Sequence, residues 1–221
     1  MTMRRRGLSR GEVVFLVGVP LAWAVLLLFH PGGDPDTIYL DLRDEVTQAL
    51  VVHIGMMLFI PLFAVVVYLL LRGVEGSAAR VSRIALVPFV VFYSAWETLQ
   101  GTANGILVDQ VNGLPEAERA TGADLVQDFA ESPLVREFGV FATLGTLGLV
   151  VAMIAAGAAL RRAGAPLYIA VLLGLSGILI SAHPPPYGPI GLVLFIAAVL
   201  LFVRSQSAAR ARTPLPSPGP T

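Results

Sequence analysis

Long apolar runs alternate with short charged stretches along this chain. A run of about 20 apolar residues can cross a bilayer as a helix. Six such runs are present, over residues 13–29, 46–71, 84–108, 138–160, 166–182 and 187–203. The pattern predicts an all-α polytopic integral membrane protein, with residues 1–212 forming a single bundle of six transmembrane helices. From Thr213 the chain reads Thr-Pro-Leu-Pro-Ser-Pro-Gly-Pro-Thr. Such a proline-rich stretch cannot hold a helix, so residues 213–221 are expected to be a disordered tail. The first run has the basic start of a signal peptide, but His30-Pro31-Gly32-Gly33-Asp34 follows it and not a small-residue cleavage site. It is therefore read as an uncleaved span. The longest connection, 109–136, carries Leu114, Ala117, Leu125 and Phe129 among charges, the pattern of a short amphipathic helix lying on the outer surface. Three spans followed by three of opposite orientation would permit an inverted repeat, yet the two halves share no motif.

Charge then orients the bundle. With six alternating spans, Arg4, Arg5, Arg6, Arg10, Arg72, Arg80, Arg83, Arg161, Arg162, Arg204, Arg210 and Arg212 fall on one side. Only Arg43, Arg119 and Arg136 fall on the other. The positive-inside rule places both termini in the cytoplasm. The opposite loops are acidic, and Tyr39 and Tyr187 mark the expected outer boundary as Tyr68 and Tyr168 mark the inner one. Only 14% of residues are charged and 56% are hydrophobic, against about 25% charged in a soluble domain. The absence of cysteine excludes disulfides, thiolate nucleophiles, iron–sulfur clusters and cysteine-based zinc sites. All fifteen basic residues are arginine, which excludes a lysine Schiff base. An arginine-only basic set also points to a GC-rich bacterial genome, and so to a bacterial cytoplasmic membrane. The lipid bilayer is the expected partner, and nucleic acid is not.

An ionisable side chain at mid-membrane costs about 2.5–3.5 kcal/mol on insertion scales, so it is read as functional by default. Glu97 is the acidic residue placed inside the hydrocarbon, about 20 Å from the inner end of the third span. Tyr93, Glu97, Gln100 and Asn104 follow the spacing i, i+4, i+7, i+11 and so share one helical face. Thr98 and Thr102 lie beside that stripe and Trp96 is adjacent. The stripe must face other helices or a wet cavity. Two readings stay open, a hydrogen-bonded packing seam or a binding pocket. Gly101 and Gly105 form a small-xxx-small pair that favours close helix contact. His53 in the second span falls within about one helical turn of the depth of Glu97. A Glu97–His53 pair, charged or sharing one proton, is therefore expected.

His30, His53 and His183 all fall in the outer half, as Glu97 does. Three imidazoles and a carboxylate are a possible metal donor set. However, no two of these residues share a local motif, no His-Glu-x-x-His is present, and interfacial histidines are common. Haem on His53, with Met56 or Met57 nearby, is weaker still. No metal and no cofactor are expected. The run Ser181-Ala182-His183-Pro184-Pro185-Pro186-Tyr187-Gly188-Pro189 is read as a stiff outer hairpin rather than a gate. Pro20, Pro61 and Pro88 fall inside spans and can kink them.

The segments His53-Ile54-Gly55-Met56-Met57-Leu58-Phe59-Ile60-Pro61, Phe92-Tyr93-Ser94-Ala95-Trp96-Glu97, Gly105-Ile106-Leu107-Val108 and His183-Pro184-Pro185-Pro186 resemble uncharacterised multi-pass membrane proteins of actinobacteria. The resemblance implies a source and no activity. Three functions follow from the residues. The chain could be a transporter, or a subunit of one, binding a small molecule or a proton. Glu97 would then be the protonatable group, His53 its proton partner, and Tyr93, Gln100 and Asn104 would orient the ligand. It could be an accessory protein whose stripe only packs helices. It could be an enzyme acting on a lipid or isoprenoid, with Glu97 and His53 as acid and base.

Overall fold

The computed structural model describes residues 9–32 and 37–211. Arg4, Arg5, Arg6, Asp34, Asp36, Arg212 and the tail from Thr213 lie outside the described residues. The described residues form helices joined by short connections, with no strand among them. Its elements are α1 (Arg10–Leu27), α2 (Ile38–Leu42), α3 (Val46–Leu70), α4 (Ser77–Asn112), α5 (Glu116–Ala130), α6 (Val140–Arg162), α7 (Leu167–Ser181) and α8 (Tyr187–Ala211). Five of these helices, α1, α3, α4, α6 and α8, are long and apolar enough to cross a membrane. The fifth expected span is realised as α7, apolar but only 15 residues long. At 1.5 Å per residue it covers about 22 Å, less than a hydrocarbon core of about 30 Å. Prolines bound it on both sides, Pro166 before and Pro184 to Pro186 after, which fixes its length.

The six apolar helices close into a ring. Each packs on two neighbours in the order α1, α3, α4, α6, α7, α8, and α8 returns to α1. Trp23, Phe63 and Phe195 join α1, α3 and α8 through edge-on ring contacts at 5.5 and 4.9 Å. The outward faces remain apolar, with Val14, Ile54, Leu58, Ile84, Val87, Leu147 and Val193 all more than half exposed. Exposed apolar surface on this scale suits contact with lipid and not with water.

Between α4 and α6 the backbones touch. Gly145 and Gly148 of α6 sit where a Cβ would lie 2.6 Å from Tyr93 N and 2.5 Å from Phe89 N. Ser82 Oγ of α4 donates to Ala152 O at 2.8 Å across the same seam. Gly157 meets Ala170 of α7 in the same way. Close approach of this kind replaces the hydrophobic driving force that helices lack in lipid.

At the end that carries the arginines, Ser9 and Glu12 form a reciprocal cap on α1 and Glu12 pairs with Arg72 at 2.9 Å. Arg83 donates to Leu71 O and Val74 O, holding the α3–α4 turn. The opposite end is roofed by α2 and α5. Ile38, Val46, Val108, Val111, Val126 and Ala130 form a small core of their own. The 109–136 connection does hold a helix, α5, but it packs on protein through Gly122, Val126 and Ala130, while Leu125 of the expected apolar stripe is 64% exposed.

Candidate functional site

The site begins with an irregularity in α4. Its hydrogen bonding is π-type over Phe89–Tyr93 and again over Glu97–Ala103. The first stretch follows Pro88, which has no N–H to continue the α ladder. A π turn holds more residues than an α turn and recurs at functional sites. The buried face therefore advances by four residues at a time: Tyr93, Glu97, Gly101 and Gly105. The α-helical spacing expected Gln100 at the third position. Instead Gly101 stands there, and Gln100 is half-buried beside it.

That substitution decides how close α3 comes. A Cβ on Gly101 would overlap the His53 ring, and one on Gly105 would press Leu50 at 2.8 Å. Gly101 thus makes a seat for His53, and Gly105 makes one for Leu50. The His53 Nδ1 lies 2.7 Å from Ala49 O of its own helix, and Nε2 points at Glu97 Oε2, 3.9 Å away. The two side chains expected to pair are thus neighbours, but beyond hydrogen-bond distance, so they do not share a proton directly.

His183 approaches Glu97 more closely than His53 does, with Nδ1 3.6 Å from Oε1. The same Nδ1 lies 3.2 Å from the Tyr93 hydroxyl, which can donate to Ser181 O at 3.3 Å. On its far side His183 Nε2 meets His30 Nε2 at 3.0 Å. His30 Nδ1 lies 2.7 Å from Pro31 O. The His30 ring stands edge-on to both His53 and His183, with centroids 4.9 and 4.7 Å apart. Trp96 closes the far wall against His183 and donates Nε1 to Val135 O at 2.8 Å.

Glu97 is 1% exposed, and its Oε1 has no hydrogen-bond partner. A buried carboxylate in this state lacks a positive charge nearby, because desolvation costs several kcal/mol per ion unless it is paired. The two loop histidines do not supply it. Burial, with His53 adjacent, pushes His30 down to about 4. Burial, with His30 and His53 adjacent, holds His183 well below the usual imidazole range.

These groups line a cavity of about 190 Å³. His30, His53, Trp96, Glu97, Gln100 and His183 form its walls, and Gly32, Asp41, Glu137 and Pro184 stand at the loop end. The volume suits about six water molecules or a ligand of that size. A larger hollow of about 650 Å³ lies over residues 43–48, but it holds no buried ionisable group.

No family model, curated protein or solved structure matches the chain. The geometry alone bears on function.

Of the residues expected in the site, Glu97, His53 and Tyr93 come together and Gln100 borders them. Asn104 is buried but stands apart, donating Nδ2 to Gln100 O at 2.9 Å and to Gln100 Oε1 at 3.3 Å. His30 and His183 enter from two loops, 153 residues apart in sequence. Their shared depth with Glu97 was readable. Their contact depends on α1 and α7 ending at the same level, which no local spacing encodes.

Proposed function

We propose that this chain is a six-span protein of a bacterial cytoplasmic membrane, both termini cytoplasmic, and that its outer-end chamber binds a small molecule or a proton at Glu97. The role this suits is that of a small transporter or a subunit of one. The observation that carries the reading is Glu97 itself: buried, with an unpartnered oxygen, on the wall of a cavity that also holds three imidazoles. A seam made only for packing would satisfy its own polar atoms. The loop residues at the cavity's end, Gly32, Asp41, Glu137 and Pro184, support access from the aqueous side rather than from lipid.

Native mass spectrometry of the purified protein tests the binding. Wild type is expected to carry a low-mass organic adduct that Glu97→Gln loses. No adduct in either, with Glu97→Gln melting at the wild-type temperature, would overturn the small-molecule reading.

The orientation has its own test, helped by the absence of native cysteine. Thr121→Cys should react with a membrane-impermeant maleimide in intact cells. Ser77→Cys should react only after permeabilisation. The reverse pattern would invert the proposed topology.

A further inference from the structure

The chamber's nitrogen atoms can be assigned by following their hydrogens. His30 Nδ1 faces Pro31 O and His53 Nδ1 faces Ala49 O, each at 2.7 Å. A carbonyl only accepts, so both Nδ1 atoms carry the proton and both Nε2 atoms are bare lone pairs. Tyr93 can place its hydroxyl proton on Ser181 O. Its oxygen then accepts from His183 Nδ1, and in that tautomer the third Nε2 is bare as well; in the other, Tyr93 donates to His183 Nδ1 and His183 Nε2 donates to His30 Nε2 at 3.0 Å.

In the first tautomer three lone pairs converge, with the Glu97 carboxylate beside them. One ring nitrogen from each histidine lies within 4.8 Å of the others. His30 and His183 Nε2 are 3.0 Å apart, and Glu97 Oε2 is 3.9 Å from His53 Nε2. Such a cluster repels itself unless positive charge sits at its centre. One proton bridges a single pair of these atoms, whereas a cation can meet all of them.

We propose that His30, His53 and His183 bind a divalent transition metal of the zinc class through their Nε2 atoms, with Glu97 balancing its charge. The inference rests on the chamber being a binding site and names its ligand class. Imidazole donors without thiolates suit borderline cations, and a set this poor in oxygen does not suit calcium or magnesium. A tetrahedral zinc site with Zn–N of about 2.0–2.1 Å sets its nitrogens about 3.4 Å apart. That value lies between the 3.0 Å of the closest pair and the 4.8 Å that bounds the others, so no pair must close by more than about 1.4 Å. Each imidazole already has its second nitrogen held by an oxygen, the outer-shell arrangement that orients histidine ligands. The fourth position is left to Glu97 or to water from the cavity. Spacing in the sequence argued against a metal because the ligands come from two loops and a helix, and so form no local motif.

The full chain, carrying a tag free of histidine, is stripped with chelator and dialysed against zinc or cobalt(II). Elemental analysis is expected to find one zinc per chain, and cobalt(II) to give the intense visible bands of a tetrahedral site. His30→Ala, His53→Ala and His183→Ala should each weaken zinc binding by more than about 100-fold. Tyr93→Phe, which removes only an outer-shell partner, should weaken it about 10–100-fold. Wild-type protein that elutes and melts normally but takes up neither metal would overturn the proposal, as would a His183→Ala variant that binds zinc like wild type. The wild-type cobalt spectrum decides the matter even where a variant fails to fold. Protein that takes up no metal but still carries an organic adduct dependent on Glu97 ends the metal proposal alone. Loss of both ends the chamber reading with it.

Discussion

Gly148→Val is expected to leave no folded protein in detergent. The position lies at the tightest point of the seam between α6 and α4. A Cβ there would stand 2.5 Å from Phe89 N, 3.0 Å from Ala85 O and 3.0 Å from Phe89 Cα. All three obstacles are backbone, so no side-chain rotation relieves them, and one helix must move bodily away from the other. Overpacking a well-packed interior costs about 1–3 kcal/mol when side chains can give way. Here they cannot, and the loss should exceed that range. Moving α6 would also break the Ser82–Ala152 hydrogen bond and open the seam on Gly145. Gly18→Val supplies the control, since a side chain there meets nothing within 4 Å. Fluorescence-detected size exclusion should show aggregate for the first variant and a native peak for the second. A native peak and melting temperature for Gly148→Val would mean that α4 and α6 do not pack as described.

Gly101→Ala is expected to empty the chamber of its chemistry while sparing the bundle. The added methyl stands 2.7 Å from His53 Cβ, so α3 must shift slightly, and it also overlaps the His53 ring, which can swing away. Its departure breaks the Nδ1 bond to Ala49 O and takes Nε2 away from Glu97. Stability should fall by about 1–3 kcal/mol, less than for Gly148→Val, and the protein should still elute as a native peak. Zinc uptake and the Glu97-dependent adduct should both disappear. Retention of both at wild-type levels would show that His53 does not need the space above Gly101. Two glycine substitutions thus separate the fold from the site, because one meets backbone and the other meets an imidazole.

Much of this was visible along the chain. The apolar runs marked the helices, since only a membrane or a fully buried core tolerates so many apolar residues in sequence. Glu97 stood out because its cost in hydrocarbon demands an explanation. The depth of His53 suggested its partner. Three features were not visible. The π stretches after Pro88 and at Glu97 shift the buried face by a residue, so Gln100 yields its expected place to Gly101. An α-helical period cannot anticipate a change of pitch. Gly101 and Gly105 were legible as a packing pair, but not Gly101 as a seat for an imidazole, because a missing side chain does not say what fills the space. His30 and His183 were legible as loop residues near the same boundary. Their contact at 3.0 Å is a property of how α1 and α7 terminate, and that is tertiary.

The closed circuit of helices also bears on how the protein is made. A chain entering the membrane from its N-terminus delivers α1 long before α8, yet α1 needs α8 as one of its two neighbours. Until synthesis is nearly finished, α1 has α3 to pack on, with Trp23 against Phe63, and its flank toward α8 has only lipid or the insertion machinery to lean on. His30 waits with it, since His183 lies on the last connection to emerge. Assembly of the chamber therefore waits for the connection after α7, which carries His183, and closure of the circuit waits for α8, so both come late in synthesis.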